Sequence, residues 1–121
     1  MKKIISVLGA TGSVGRQALD VARERDFLVD FLCANRDVSL LEGYAREFSP
    51  RAVAMADPEA ARDLKVRLSD TSVKVLSGQE GIEEGIRTSE SEVAVNSILG
   101  EAGLMPTLAV IESGKRLALA N

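Results

Sequence analysis

Apolar and polar positions along the chain fall into two alternating periodicities. Residues 4–8 form a short apolar run suited to a strand covered on both faces. Residues 9–15 break it, and residues 13–25 then turn helical, with Val14, Ala18, Leu19, Val21 and Ala22 on one stripe. A second strand is expected over 28–34, where Asp30 is an awkward residue for a central strand. A second helix follows over 39–48, with Leu40, Leu41, Tyr44, Ala45 and Phe48 at helical spacing and Ser49-Pro50 as its stop. Residues 52–56 read as a strand. Asp57-Pro58-Glu59 then makes a strong helix start, with Asp as N-cap and Pro at the first helical position, and that helix runs to about residue 68. A strand over 73–76 precedes a helix over 78–87, which is held by Ile82 and Ile86 but loosened by Gly81 and Gly85. A strand over 92–98, a glycine turn over 100–103, a helix over 104–112 and a strand from 117 to 120 complete the pattern. Pro106 fits that last helix because it lies in the first turn, and Gly114 stops it.

Strands that alternate with helices predict an α/β fold, Rossmann-like and doubly wound, with a mostly parallel sheet and helices on both faces. No linker, repeat or low-complexity tract interrupts the 121 residues, so 1–121 reads as one domain. The net charge of −3 points to neither nucleic acid nor an anionic membrane. No apolar run is long enough to span a bilayer, and the short one at the start reads as a strand rather than a signal peptide. With no His, the chain itself holds no Ser-His-Asp triad, Cys-His pair or His metal site. One cysteine, Cys33, fits a reducing, cytoplasmic setting and reads as a small buried hydrophobe.

Gly9-Ala10-Thr11-Gly12-Ser13-Val14-Gly15 carries the spacing Gly-x-x-Gly-x-x-Gly between the first strand and the first helix. Gly9 permits the sharp exit from the strand. Gly12 leaves room for a pyrophosphate, and Gly15 lets the helix pack close to the sheet. The helix N-terminus offers N–H groups and a positive dipole end, and Thr11 and Ser13 add hydroxyls. No Gly-Lys-Ser/Thr follows, so the loop is not of the Walker type.

The tip of the second strand, Ala34-Asn35-Arg36-Asp37, bears on the cofactor. A carboxylate there suits the ribose 2′-hydroxyl of NAD, whereas an amide and a guanidinium suit the 2′-phosphate of NADP. Asn35 and Arg36 favour NADP. Asp37 opposes a phosphate unless it points away, and it has the alternative of capping the next helix. The later turn from Asn96 to Gly103, with Ser97, Ile98 and Gly100, either borders a nicotinamide or is a packing turn. Tyr44 is followed four residues later by Phe48, so the Tyr-x-x-x-Lys pair of short-chain dehydrogenases is absent. Glu80, Glu83 and Glu84 read as a solvated face.

Three stretches together resemble the N-terminal part of 1-deoxy-D-xylulose 5-phosphate reductoisomerases. They are the glycine loop with Leu19-Asp20-Val21, the run Asn96-Ser97-Ile98-Leu99-Gly100-Glu101-Ala102-Gly103-Leu104-Met105-Pro106-Thr107-Leu108, and Ser113-Gly114-Lys115-Arg116-Leu117-Ala118-Leu119-Ala120-Asn121. Phe48-Ser49-Pro50 also falls where the family has it. The resemblance implies an NADPH-dependent oxidoreductase of non-mevalonate isoprenoid biosynthesis. Such an enzyme isomerises and reduces 1-deoxy-D-xylulose 5-phosphate to 2-C-methyl-D-erythritol 4-phosphate with Mg or Mn, as a homodimer. It implies that Thr11, Gly12, Ser13 and Val14 hold the dinucleotide phosphates, that Asn35, Arg36 and Asp37 match the 2′-phosphate loop, and that Asn121 touches the cofactor. The family loop is more often Gly-Lys/Arg-Asn, so this tip departs from it. The family's catalytic and metal residues match no position in this sequence. The expected reading is thus a cofactor-binding fragment that binds NADPH and does not turn over. Two alternatives are the cofactor domain of another NAD(P)-dependent Rossmann dehydrogenase and a non-catalytic nucleotide-sensing module.

Overall fold

The computed structural model describes residues 2–98, 106, 109–110 and 112–119, the Leu119 side chain excepted. The expected alternation is present. Strand β1 (Ile4–Leu8) leads to α1 (Ser13–Arg25), β2 (Leu28–Ala34), α2 (Val38–Phe48), β3 (Ala52–Met55) and α3 (Pro58–Arg67). Strand β4 (Lys74–Ser77), α4 (Gly78–Thr88), β5 (Val93–Asn96) and β6 (Arg116–Leu119) follow. Pro106, Ala109, Val110 and Glu112 have helical backbone. The glycine turn expected over 100–103 and Asn121 lie outside the described residues.

The strands form one parallel sheet in the order β4-β3-β2-β1-β5-β6. Successive strands step outward from β1 to β4, and the chain then returns to the other side of β1 as β5. The β1/β5 boundary is therefore a topological switch point, where a crevice opens at the carboxyl ends of the strands.

Two apolar layers cover the sheet. Leu19, Ala22, Leu41, Ala45, Ala60, Ala61 and Leu64 bring α1, α2 and α3 onto one face, against Val7, Leu32 and Val53. Ile82 and Ile86 of α4, with Ala109 and Val110, cover the other face against Leu8, Phe31, Cys33 and Ala54. Alternate residues of β2 feed opposite layers, the period expected of a strand buried on both sides. Val21 departs from the stripe expected of α1: it is 44% exposed, because α1 buries only Gly15, Leu19 and Ala22 fully. Among the described residues no helix is long and apolar enough to cross a membrane.

Local chemistry sets the helix ends. Asp57 caps α3 by accepting from the Ala60 N–H at 3.0 Å, with Pro58 at its start. Asp37 caps α2 by accepting from the Leu40 N–H at 3.1 Å. Gly114 (φ +78°) and the preceding turn end the last helical segment.

Asp30 has a tertiary explanation. The β1–β2 register passes from Ile5↔Val29 to Ser6↔Phe31, so Asp30 is an extra residue at a bulge. Its carboxylate accepts from Ser89 Oγ at 2.9 Å, the Glu90 N–H at 2.8 Å and the Arg51 guanidinium at 3.3 Å. Ser89 in turn joins Ser6 and Ser91 in a buried hydroxyl cluster with Oγ···Oγ distances of 2.7–3.0 Å. Lys115 closes the same corner by donating to the Ser89 carbonyl at 2.6 Å.

Gly81 and Gly85 were expected to loosen α4; they instead fix how it lies. A Cβ on Gly85 would sit 2.1 Å from Cε1 of Phe31, and one on Gly81 would sit 2.9 Å from the Leu76 Cβ. Both glycines are buried, and their missing side chains let α4 lie flush on the sheet.

Candidate functional site

The switch point opens into a cleft of about 360 Å³ lined by Gly9, Thr11, Gly12, Cys33, Ala34, Asn35, Ala56, Gln79, Ile82, Ser97 and Ile98. These residues sit at or just beyond the carboxyl ends of β1, β2, β3 and β5, with Gln79 and Ile82 contributed by α4. No lining side chain is ionised, so the site depends on backbone N–H groups, amides and hydroxyls.

The glycine loop is held from both neighbouring strands. The Gly9 and Ala10 N–H groups donate to the Cys33 carbonyl at 3.0 and 2.8 Å, tying the loop to β2. On the β5 side, the Ser97 N–H donates to the Leu8 carbonyl at 2.9 Å. The Ser97 hydroxyl reaches the same carbonyl at 2.9 Å and the Gly9 carbonyl at 3.1 Å.

The three glycines are required for different reasons. Gly9 has φ +79°, and a Cβ there would lie 2.6 Å from Ser97 Oγ. A Cβ on Gly15 would lie 2.1 Å from the Gly9 carbonyl oxygen. Turn and packing therefore exclude side chains at both. Gly12 is different: its φ of −80° is open to any residue, and a Cβ would meet only the Gly9 carbonyl oxygen, at an ordinary 3.6 Å. A side chain there would project into the cleft without harming the fold. The open cradle at Gly12 is what a phosphate approaching the first turn of α1 requires. That turn has no acidic residue and no capping side chain, whereas Asp37 and Asp57 cap α2 and α3.

Of the residues singled out from the sequence, Gly9, Thr11, Gly12, Asn35 and Ile98 line the cleft. Ser13, Val14 and Gly15 form the adjoining first turn of α1. Arg36 is exposed beyond the rim. Its guanidinium pairs with no carboxylate among the described residues, which is also true of Arg16, Arg25, Arg62 and Arg116; what sets Arg36 apart is its place next to Asn35 at the β2 tip. Asp37 also lies outside the cleft lining. Of the two roles open to it in the sequence, the capping of α2 is the one seen, its carboxylate accepting from the Leu40 N–H. Gly100 and Asn121 lie outside the described residues.

Ala34 of the strand tip and Ser97 of the later turn also line the cleft, whereas the sequence did not single out Cys33, Ala56, Gln79 or Ile82 as site residues. The signal these four share is position: Cys33 and Ala56 stand at the carboxyl ends of β2 and β3, and Gln79 and Ile82 at the start of α4. Cys33 is fully buried, and that burial pushes its thiol up to about 12, so it is an inert wall of the cleft and not a nucleophile. Among the described residues, no three His, Cys, Asp or Glu side chains gather as a metal site.

The family model described as 1-deoxy-D-xylulose 5-phosphate reductoisomerase matches residues 5–121. A protein of that name from Acetivibrio thermocellus is 51% identical over 117 residues, 97% of this chain and 31% of the relative. One from Ruminiclostridium cellulolyticum is 41% identical over the whole chain and 32% of the relative. The chain therefore spans about a third of the length of the curated relatives it matches. Among solved structures, the reductoisomerase of Zymomonas mobilis in complex with NADPH superposes with a TM-score of 0.92 at 36% identity, over 100% of this chain and 32% of that one. A DOX-P reductoisomerase in complex with NADPH, fosmidomycin and magnesium superposes with a TM-score of 0.92 at 32% identity, over 98% and 30%.

Proposed function

The chain belongs to the 1-deoxy-D-xylulose 5-phosphate reductoisomerase family, and we propose that it binds NADPH in the switch-point cleft, as the cofactor domain of such an enzyme. The observation that carries this is the Gly12 cradle. It is the one glycine of the loop that the fold does not demand, and it faces the cleft beside the uncapped start of α1. The residues fit the group. Backbone N–H groups of Thr11 to Val14 would hold the pyrophosphate, helped by the Thr11 and Ser13 hydroxyls. Asn35 and the unpaired Arg36 would take the 2′-phosphate. Ile98 and Ser97, across the loop on the β5 side, would border the nicotinamide.

Bound NADPH supplies a hydride. The chain's own part is to hold the dinucleotide along the strand ends and to keep water from it with the apolar walls formed by Ala34, Ala56, Ile82 and Ile98. In the whole protein the proposal places this domain in the rearrangement and reduction of 1-deoxy-D-xylulose 5-phosphate to 2-C-methyl-D-erythritol 4-phosphate. That protein would work as a cytoplasmic homodimer with a divalent metal. No described residue is assigned to the metal, and the chain alone is expected not to turn over.

Gly12→Val tests the reading. It should leave the thermal midpoint of the chain within a few degrees and abolish NADPH binding in a fluorescence titration. Unchanged NADPH affinity in a folded Gly12→Val chain would place the dinucleotide elsewhere.

A further inference from the structure

Sheet order gives the cleft a direction. The glycine loop follows β1, with β2 and β3 on one side and β5 on the other. Asn35 and Ala56 therefore mark one arm of the cleft, and Ser97 and Ile98 the opposite arm. With the pyrophosphate at the loop and the 2′-phosphate at the β2 tip, the adenosine half occupies the β2/β3 arm. The remaining lining of that arm is Ala34, Ala56, Ile82 and Gln79. Three of these are apolar and two are small, a slot suited to the flat faces of a purine. Gln79 alone brings hydrogen-bonding atoms from its side chain.

The placement of Gln79 follows from the packing of its helix. Gly81 against Leu76 and Gly85 against Phe31 seat α4 flush on the sheet, and Ile82 is 3% exposed beneath it. The first turn of α4 is thereby carried to the mouth of the cleft. The Gln79 carboxamide is exposed there and has no hydrogen-bond partner among the described residues.

We propose that Gln79 reads the Watson–Crick edge of the adenine, its carbonyl accepting from the N6 amine and its NH2 donating to N1. This rests on the reading that the cleft binds NADPH. A carboxamide offers one acceptor and two donors, which matches that edge. Such neutral hydrogen bonds leave the phosphate contacts on the far side of the slot untouched.

The test crosses two proteins with two ligands. The ligands are NADPH and its 1,N6-etheno analogue, in which both edge positions are blocked. Wild-type chain should bind NADPH about tenfold more tightly than the etheno analogue. Gln79→Ala should weaken NADPH by the same factor, leave the analogue unchanged, and so bind the two alike. Equal weakening of both ligands, or no weakening of NADPH, would overturn the proposal. Failure of wild-type chain to bind NADPH at all would instead overturn the cofactor reading, a result the same titration reports separately.

Discussion

The Asp30 carboxylate accepts a hydrogen bond from Ser89 Oγ at 2.9 Å, across 59 residues of sequence. This contact joins the β2 bulge to the segment that leads from α4 into β5. It also anchors the cluster formed by Ser6, Ser89 and Ser91, in which every buried side-chain polar atom finds a partner among the described residues. Removing one member of such a network leaves the others desolvated and unsatisfied.

Asp30→Ala should therefore cost about 1.5–3 kcal/mol in urea unfolding, the range for hydrogen bonds to a charged group. Asp30→Asn keeps the acceptor oxygen and should cost less. Equal stability of wild type and Asp30→Ala would mean that the cluster does not hold this corner.

Gly85 and Phe31 form a second pair with a stability consequence. A methyl at position 85 would meet the Phe31 ring at 2.1 Å, so Gly85→Ala should destabilise the chain by about 1–3 kcal/mol despite the better helix propensity of alanine. Phe31→Leu removes the ring and should recover part of that loss, giving a favourable coupling in a double-mutant cycle. Strict additivity of the two changes would contradict the contact.

These two pairs show where the sequence was legible. Residues whose reason is local were readable: the Asp57-Pro58 helix start, the glycine loop, and the apolar runs of β1 and β2. Asp30 was opaque because its partners, Arg51, Ser89 and Glu90, lie far along the chain. Gly81 and Gly85 were misread for the same reason, since propensity counts the entropy of a glycine and not the aromatic ring it makes room for. Val21 joined the expected stripe by spacing alone, but α1 presents a narrower face to the sheet. In the cleft, the loop residues announced themselves by motif, whereas Gln79 enters only through sheet order. For Asp37 the sequence held two roles open, and the hydrogen bond to Leu40 shows the capping one.

Cys33 gives a pH-dependent prediction. Burial raises its thiol from an ordinary 9.0 to about 12. The native chain keeps this proton over an interval in which the unfolded chain has lost it. The stabilisation is therefore complete below the unfolded value near 9.0 and is lost as pH rises towards 12. Denaturation measured at about pH 8 and about pH 11 should show a larger fall for wild type than for Cys33→Ala. Equal falls would mean that the thiol is not held protonated. At neutral pH the native thiol should resist Ellman's reagent until the chain is unfolded.

Arg36 carries the prediction on cofactor selectivity. Its guanidinium is unpaired among the described residues and follows Asn35 at the β2 tip. Arg36→Ala should weaken NADPH about tenfold or more, the scale of a charge-assisted contact, while changing NADH little. Equal losses for both dinucleotides would assign Arg36 no role at the 2′-phosphate.

Whether the switch-point cleft is an NADPH site is decided by calorimetric titration of wild-type chain with NADPH and with NADH. Saturable binding of one NADPH per chain is expected, at least about tenfold tighter than NADH. Absence of saturable NADPH binding, or equal affinity for the two dinucleotides, would contradict an NADPH site there.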